Sequence, residues 1–463
     1  MGKYKALAQN TIIISVGTLL SKLVTFFMVR FYTGVLTPAE YGTGDLLITT
    51  VGLLTPFVSF GISEGVFRFL PEYPDEKKSV FSAGVYTVTI GAVLMTMLLP
   101  LLRSAEDIGG YLPLLAFLTV AASYHSVCGQ YIRADGDTLL YAKQGLLNTL
   151  LVVTLNILLL TKLCLGITGY VLSVGLADLI STLYIVVGRQ LWRFLTCSVS
   201  RSLLLKMLRF SIPLIPTTVF WWITGVSDRY MITAMLGSDY NGIYTVANKL
   251  PTILTLLSGV LMQAWQYSAV SEAKSSLDEQ ARFYGNVWRA LLSFLFLACS
   301  LMIALSKIAI QVLADEEYFS AWQYMPILCC AMLFCAFTSF MGSVYTVTQK
   351  SSISLWTSLL GAGLNIFLNA LLIPSPLGIF GAALATFASY FVVFLIRARN
   401  ARRYIPFRLF KRTLLVSMAI LSVQVVFITL SLPAWQAVQI AAVGAMLIIG
   451  QKQIRQFFIT KKS

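Results

Sequence analysis

Long apolar runs follow one another along almost the whole chain, separated by short breaks that are rich in charged and turn-forming residues. Most runs have the length of about 20 residues that a helix needs to cross a membrane. Cutting the chain at the breaks predicts about fourteen membrane-spanning helices and so an all-α integral membrane protein. They lie near residues 11–33, 43–66, 80–102, 111–132, 139–161, 167–188, 210–236, 243–268, 287–312, 322–347, 352–373, 378–397, 413–431 and 434–450.

Composition supports a membrane protein and narrows its chemistry. Of the 463 residues, 57% are hydrophobic and 11% are charged, against about 25% charged in soluble domains. No predicted loop is long enough to fold alone, which argues against a membrane glycosyltransferase or polymerase, so we do not expect an enzyme. The single His and the seven scattered Cys, without a CxxC motif, predict no disulfide framework, no metal site and no cofactor.

The net charge of +15 is typical either of nucleic-acid binding or of basic cytoplasmic loops. Its distribution favours the loops. With the N-terminus placed inside, 27 of the 34 Lys and Arg residues lie in cytoplasmic segments, and the external loops hold only Arg103, Lys162 and Lys307. This asymmetry predicts that both termini are cytoplasmic and that nucleic acid is not a partner.

A weak internal repeat is visible in three pairs of segments. Their offsets are 200, 209 and 212 residues, so the order is kept and the register drifts little. Six spans separate the copies, and an even number preserves orientation across the membrane. The pairs are Leu36–Gly42 with Leu236–Gly242, Leu155–Ile157 with Leu364–Ile366, and Leu165–Gly169 with Leu377–Gly381.

The repeat predicts two parallel six-helix lobes related by a pseudo-two-fold axis along the membrane normal, plus two C-terminal helices. The predicted divisions are an N-terminal lobe at 1–190, a basic cytoplasmic linker at 191–209, a C-terminal lobe at 210–400, and a last part at 401–463 with a basic loop, two helices and a cytoplasmic tail.

Polar and charged side chains concentrate in spans one, two, seven and eight, which correspond under the repeat. Charge inside a membrane is expensive and is a functional hypothesis by default. We therefore predict a cationic substrate cavity, because such cations suit the phosphates of an anionic headgroup. Its predicted cations are Lys22, Arg30, Arg229 and Lys249, and its predicted polar lining is Ser15, Thr18, Thr25, Asp45, Thr49, Ser59, Asp228, Asn248 and Thr252.

Structural explanations remain open for these side chains. Arg30, Arg229 and Lys249 lie in the outer parts of their spans, where long side chains can snorkel to the interface. Arg30 is also placed to pair with Asp45. Lys22 is deeper and is harder to explain in this way. His125 fits either a proton relay or a hydrogen-bonded residue that packs helices together.

Several motifs together resemble those of a known family. They are Ser15-Val-Gly-Thr-Leu-Leu-Ser-Lys22, Leu36-Thr-Pro-Ala-Glu-Tyr-Gly42, Asp228-Arg229, Gly242-Ile-Tyr244 and Ala247-Asn-Lys249. The chain resembles the oligosaccharide flippases, the polysaccharide-export branch of the multidrug/oligosaccharidyl-lipid/polysaccharide exporter superfamily.

The resemblance implies that undecaprenyl-pyrophosphate-linked oligosaccharide is flipped across the bacterial cytoplasmic membrane by alternating access. It also implies contact with membrane lipid and work beside a polysaccharide polymerase and glycosyltransferases. Lipid II flippases share the fourteen-span plan and a cationic cavity, so they remain an alternative. Multidrug cation antiporters are less well supported, because span one carries cations and no acid.

Overall fold

The computed structural model describes residues 24–98, 109–196, 198–259, 262, 276–348 and 350–459. The secondary structure of these residues is helical, and no β-strand occurs among them. Two compact units, Met1–Val226 and Ser227–Ser463, divide the chain within one helix. The lobe boundaries predicted from the repeat differ from this division and stay a prediction.

The helices of the first unit are α1 Val24–Val35, α2 Pro38–Val58, α3 Ile62–Phe69, α4 Lys77–Leu98, α5 Leu112–Ala134, α6 Thr138–Ile157, α7 Gly166–Gly188, α8 Arg201–Ser211 and the first part of α9 Ile215–Leu236. Helices α4 to α7 of the first unit lie within a few residues of the predicted spans, and the others differ more.

Within its described residues, the second unit contains the rest of α9 and nine further α-helices. They are α10 Ser238–Lys249, α11 at 251–259, α12 Leu277–Ala304, α13 Ser306–Leu313, α14 Met325–Val347, α15 Ser351–Leu372, α16 Ile379–Tyr404, α17 Lys411–Thr429 and α18 Trp435–Ile459.

The predicted class, an all-α multi-span membrane protein, is confirmed. Within the described residues, 10 helices are long and apolar enough to cross a membrane, or up to 11 with the bent pair α2 and α3. The prediction of about fourteen is larger. Part of the difference is that predicted spans 11–33 and 243–268 extend into residues outside the described part. Trp435–Gln451 is also apolar but short.

The second predicted span, 43–66, is wrong at both ends. Helix α2 begins earlier because Thr37 caps it: the Thr37 hydroxyl accepts the Glu40 amide, and the Glu40 carboxylate accepts the Thr37 amide at 3.0 Å. It ends at Val58 and meets α3 at an angle of 60°. Pro56 lies in its last turn, where a missing N–H and a bulky ring favour a bend.

The twelfth predicted span, 378–397, is too short. Helix α16 continues to Tyr404, so Arg397, Arg399, Arg402 and Arg403 belong to a helix and not to a loop. Arg397 is only 4% exposed. A charge usually marks the end of an apolar span, but here the guanidinium is satisfied by groups on neighbouring helices.

Inside each unit, helices pack in a similar order. In the first unit, α5 and α6 both pack on α7, and α2 packs on α5. In the second unit, α14 and α15 both pack on α16, and α10 packs on α14. The core at one end of the first unit is largely aliphatic and includes Val66, Val127 and Ile185. In the second unit, Trp288 packs edge-on against Phe337 and stacks on Phe394.

Candidate functional site

The predicted residues Thr25 and Arg30, on helix α1, are both exposed. Phe27 is 68% exposed, whereas Tyr32 and Thr33 are buried. Arg30 therefore lies at the surface of the described part of this unit. Lys22, Ser15 and Thr18 lie outside the described residues.

Helix α2 carries the predicted residues Asp45, Thr49 and Ser59, and the structure places two of them in the interior. Asp45 is 6% exposed and Ser59 is 1% exposed. Thr49 is half-buried, and its carbonyl accepts the indole N–H of Trp222 at 2.8 Å. The beginning of α9 is thereby joined to the middle of α2 inside the first unit.

Asp228, on α9, is the centre of a buried polar network in the second unit. Its carboxylate is 6% exposed. It accepts a hydrogen bond from the Tyr244 hydroxyl and lies 3.0 Å from the Thr386 hydroxyl. Hydroxyl donors supply the polar partners that a carboxylate loses when it leaves water. The network therefore holds a buried carboxyl group among helices α9, α10 and α16.

Asn365, on α15, extends this network. Its amide nitrogen donates to the Thr386 hydroxyl at 3.3 Å, and its oxygen accepts from Ser227 at 3.1 Å and from Asn369 at 3.0 Å. Asn365 and Asn369 are 2% and 0% exposed. Four helices thus contribute to one set of hydroxyl, amide and carboxylate groups, which we call the Asp228 network: Ser227, Asp228, Tyr244, Asn365, Asn369 and Thr386.

Sequence reasoning found Asp228 but missed most of its partners. Tyr244 is 16 residues away and Thr386 is 158 residues away. One signal was present, because Asn365 belongs to the repeated Leu-Asn-Ile segment. A buried amide within an apolar helix needs hydrogen-bond partners, and this need indicates a polar network.

The other residues of the second unit that were predicted to line the cavity are close in sequence to Asp228 or to Tyr244. Arg229 and Lys249 are half-buried. The Asn248 side chain donates to the Tyr244 carbonyl at 3.1 Å, and exposed Thr252 donates to the Asn248 carbonyl. Arg30 belongs to one unit and Arg229 and Lys249 to the other. Their sharing of one cavity stays a prediction.

An apolar groove lies between α12 and α18 in the second unit. Its volume is about 440 Å³, and its lining includes Val287, Phe294, Leu297 and Leu447. Such a surface can accept hydrocarbon but offers little to a headgroup. Among the described residues, no group of three or more His, Cys, Asp or Glu side chains is placed to hold a metal ion.

Sequence comparison places the chain in a family. A family model described as "Polysaccharide biosynthesis protein" matches residues 7–266, more than half of the chain. The chain belongs to this family. An uncharacterized membrane protein of Methanocaldococcus jannaschii is 26% identical over 411 residues, which cover 84% of this chain and 97% of that protein.

Two kinds of solved structure share the fold. The lipid II flippase MurJ in an inward closed conformation matches with a TM-score of 0.72 at 14% identity, over 97% of this chain and 100% of that chain. An inward-facing multidrug resistance transporter of the MATE family, from the MOP superfamily, matches with a TM-score of 0.66 at 15% identity, over 85% and 98%. The chain is thus a multi-pass membrane protein with the fold of these two structures.

Proposed function

We propose that this chain flips lipid-linked oligosaccharide across the bacterial cytoplasmic membrane by alternating access, with both termini cytoplasmic. The observation that carries the proposal is the family match over residues 7–266. The protein acts as a transporter and not as an enzyme. Its substrate comes from glycosyltransferases, and its product passes to a polysaccharide polymerase.

The anionic headgroup of such a substrate accounts for the four cations that were predicted to line the cavity. The lipid tail stays in hydrocarbon, but the pyrophosphate must cross a region where each charge loses its hydration. Arginine and lysine side chains replace part of that hydration through charge-assisted hydrogen bonds. Lys22, Arg30, Arg229 and Lys249 supply these contacts, and Thr and Asn side chains meet the sugar hydroxyls.

A second candidate substrate is lipid II. It is favoured by the fold likeness to the lipid II flippase MurJ over almost the whole of both chains. Both substrates present an anionic lipid-linked headgroup, so the same cations serve either one. The glycan is what distinguishes them, and a transport assay with both substrates decides the question.

The test uses purified protein in proteoliposomes with two fluorescent probes, an undecaprenyl-pyrophosphate-linked oligosaccharide and lipid II. We expect faster transfer of the oligosaccharide between leaflets. K22A, R30A and R229A lower its rate about 10-fold or more, because one charge-assisted phosphate contact contributes about 1.5–3 kcal/mol. R30K and R229K are milder.

Arg68 provides a matched control. It is an exposed arginine that pairs with Glu72 at 2.9 Å, one helical turn away, so R68A should leave the transfer rate unchanged. Parental rates in all three alanine variants would overturn the cationic path. Preference for lipid II would replace the oligosaccharide as substrate.

A further inference from the structure

Acidic residues stop well before the end of the chain. Glu317 is the last of them, and twelve Lys and Arg residues follow it. These cations therefore have no acid in their own stretch of sequence. Their negative partners must come from earlier residues or from outside the protein.

The first unit shows how cations at helix ends are neutralised from within the protein. Lys77, at the start of α4, pairs with Asp135 at 2.6 Å, and Arg189, at the end of α7, pairs with Asp137. Both acids lie in the short connection between α5 and α6. One connection thus supplies negative charge to two neighbouring helices.

Four cations of the second unit lie close together where α12 meets the residues that lead into α17. The Trp288 indole N–H, on α12, donates to the Leu409 carbonyl at 3.0 Å. One residue further along both segments, the Arg289 guanidinium lies over the Phe410 ring, 4.3 Å from its centre. We call the four cations beside this contact the Arg289 cluster: Arg289, Arg408, Lys411 and Arg412.

Apolar packing, and not charge, holds this part of the cluster in place. Phe407 is 1% exposed, and its ring centre is 5.9 Å from that of Tyr284 and 6.1 Å from that of Phe340. The following residue is Arg408, whose charge acts against that of Arg289. Like charges that are fixed near each other repel, so an anion bound between the two guanidinium groups would relieve the repulsion.

The acids of the surrounding helices leave the cluster uncompensated. In α12 they are Asp278 and Glu279, both in the first turn. Glu279 accepts the Ser276 amide at 3.0 Å, and it precedes Arg289 by ten residues, which is about 15 Å along a helix. Helices α14, α16, α17 and α18 contain no Asp or Glu. Within the described ranges, no ion pair includes a member of the Arg289 cluster.

The cluster lies at the border between charged and apolar sequence. In both α12 and α17, no charged residue follows the cluster up to the end of the helix. The headgroup region of a bilayer adjoins the ends of such apolar segments. Arg408, Lys411 and Arg412 are exposed and Arg289 is half-buried, so the cluster is accessible from outside the protein.

We propose that the Arg289 cluster binds the phosphate group of an anionic phospholipid. Arg289 and Arg408 offer forked N–H donors that match phosphate oxygens, and Lys411 and Arg412 add attraction at the membrane surface. The lipid supplies the kind of negative charge that Asp135 supplies in the first unit. Binding requires no translocated substrate, so this proposal is independent of the proposed transport function.

Binding is measured on the full-length protein in neutral detergent, where native mass spectrometry counts bound phosphatidylglycerol against bound phosphatidylcholine. We expect the parent protein to bind phosphatidylglycerol more tightly. R408A/R412A removes two exposed cations and keeps the apolar packing. It should weaken phosphatidylglycerol binding about 10-fold or more, because each cation at an anionic surface contributes a factor of about five. R289A should weaken binding about fivefold, and R289K should weaken it less.

R193A/R201A is the matched control in the first unit. Both arginines are exposed, and they belong to different helical segments, Leu191–Phe194 and α8. This variant loses the same charge as R408A/R412A but leaves the Arg289 cluster intact. Its affinity for phosphatidylglycerol should therefore remain near the parental value.

Three results would overturn the proposal. Equal affinities of the parent for the two lipids would show that the cluster does not select an anionic headgroup. Equal losses in R408A/R412A and R193A/R201A would show that only net charge matters. Displacement of the lipid by glycerol 3-phosphate at equal concentration would assign the site to a free phosphate compound. A loss confined to the cluster variants, without such displacement, supports a phospholipid site.

Discussion

Two helix connections, one in each unit, have the same geometry. One joins α6 to α7 in the first unit, and the other joins α15 to α16 in the second unit. Gly166 has φ +52° and Gly378 has φ +49°, a left-handed conformation that favours glycine. Three residues later, Gly169 and Gly381 each face a carbonyl of the preceding helix, that of Leu159 or Leu372. The repeated sequence therefore corresponds to a repeated backbone geometry.

The polar groups beside these connections differ between the units. Asn156 in the first unit donates to the Tyr32 hydroxyl at 3.1 Å, so its partner is neutral. Asn365, at the equivalent position, belongs to a network that ends on the Asp228 carboxylate. At the offset of 199 residues that relates Arg30 to Arg229, the residue equivalent to Asp228 is Val29.

The first unit places its own acid elsewhere. Asp178 on α7 corresponds at an offset of 212 to Tyr390 on α16, and His125 on α5 corresponds to Thr338 when the starts of α5 and α14 are aligned. The Thr338 hydroxyl simply donates to the Tyr390 carbonyl at 3.3 Å. The half-buried Asp178 of the first unit and the buried Asp228 of the second thus each have an uncharged equivalent in the other unit. The backbone is repeated but its charge chemistry is not, which argues for different roles of the two units.

The largest expected effect concerns Arg397, whose equivalent in the first unit is the core residue Ile185. Its guanidinium binds Thr357 at 2.8 Å, Ser358 at 2.9 Å and the Ser354 carbonyl at 2.9 Å. R397A leaves a cavity and unpaired groups, so we expect a loss of about 2–4 kcal/mol in unfolding free energy. Unfolding in detergent measures it.

Arg399, two residues further on, is exposed on the same helix. R399A should therefore change stability by less than about 0.5 kcal/mol. R397K should fall between the two alanine variants, because lysine keeps the charge without the fork of donors. Equal stability of R397A and R399A would mean that the hydrogen bonds of Arg397 contribute nothing that water cannot replace.

The positions of Asp228 and Arg397 illustrate how much of the structure can be predicted from the sequence. Hydropathy located most spans, because length and apolar content are visible residue by residue. Hydropathy did not show which face of a helix packs against the rest of the protein. Lipid and the protein interior are equally apolar, so the sequence of a helix that is apolar on all sides does not distinguish the two faces. Hence Asp228 was identifiable, but its hydrogen bonds with Thr386 and Tyr244 were not. Arg397 suggested a loop although it lies inside a helix.

The next prediction concerns the Asp228 network. D228V gives the second unit the residue that the first unit has at Val29. It leaves the Tyr244 hydroxyl without its acceptor, whereas the Thr386 hydroxyl keeps the Ala382 carbonyl at 3.0 Å. An unsatisfied buried hydroxyl costs about 1–3 kcal/mol, while removal of a buried acid offsets part of this. We expect a net loss of about 1–3 kcal/mol in detergent unfolding.

The double variant D228V/Y244F sharpens this comparison. Removing both members of a hydrogen-bonded pair is often milder than removing one, so the double variant should regain part of the stability. Y244F alone controls for the lost hydroxyl. If the double variant is less stable than D228V by the full effect of Y244F, the two side chains act independently and the network has no energetic coupling.

The smallest expected effect is the difference between two variants, G381A and G169A, and it tests whether the repeated backbone is equally tight in both units. A Cβ on Gly381 would lie 2.5 Å from the Leu372 carbonyl oxygen, whereas a Cβ on Gly169 would lie 3.0 Å from the Leu165 side chain and 3.3 Å from the Leu159 oxygen. Neither a backbone carbonyl nor a Cβ atom can rotate away, so the shorter distance at Gly381 decides which variant costs more. G381A should therefore cost about 1–3 kcal/mol through overpacking, and G169A should cost less. Alanine also stiffens the unfolded chain equally at both positions, so the difference between the variants isolates the native contact.

Unfolding midpoints in one detergent give that difference, with G363A as control because a Cβ there meets nothing within 4 Å. A larger loss for G169A than for G381A would mean that the first unit holds its helix connection more rigidly than the second.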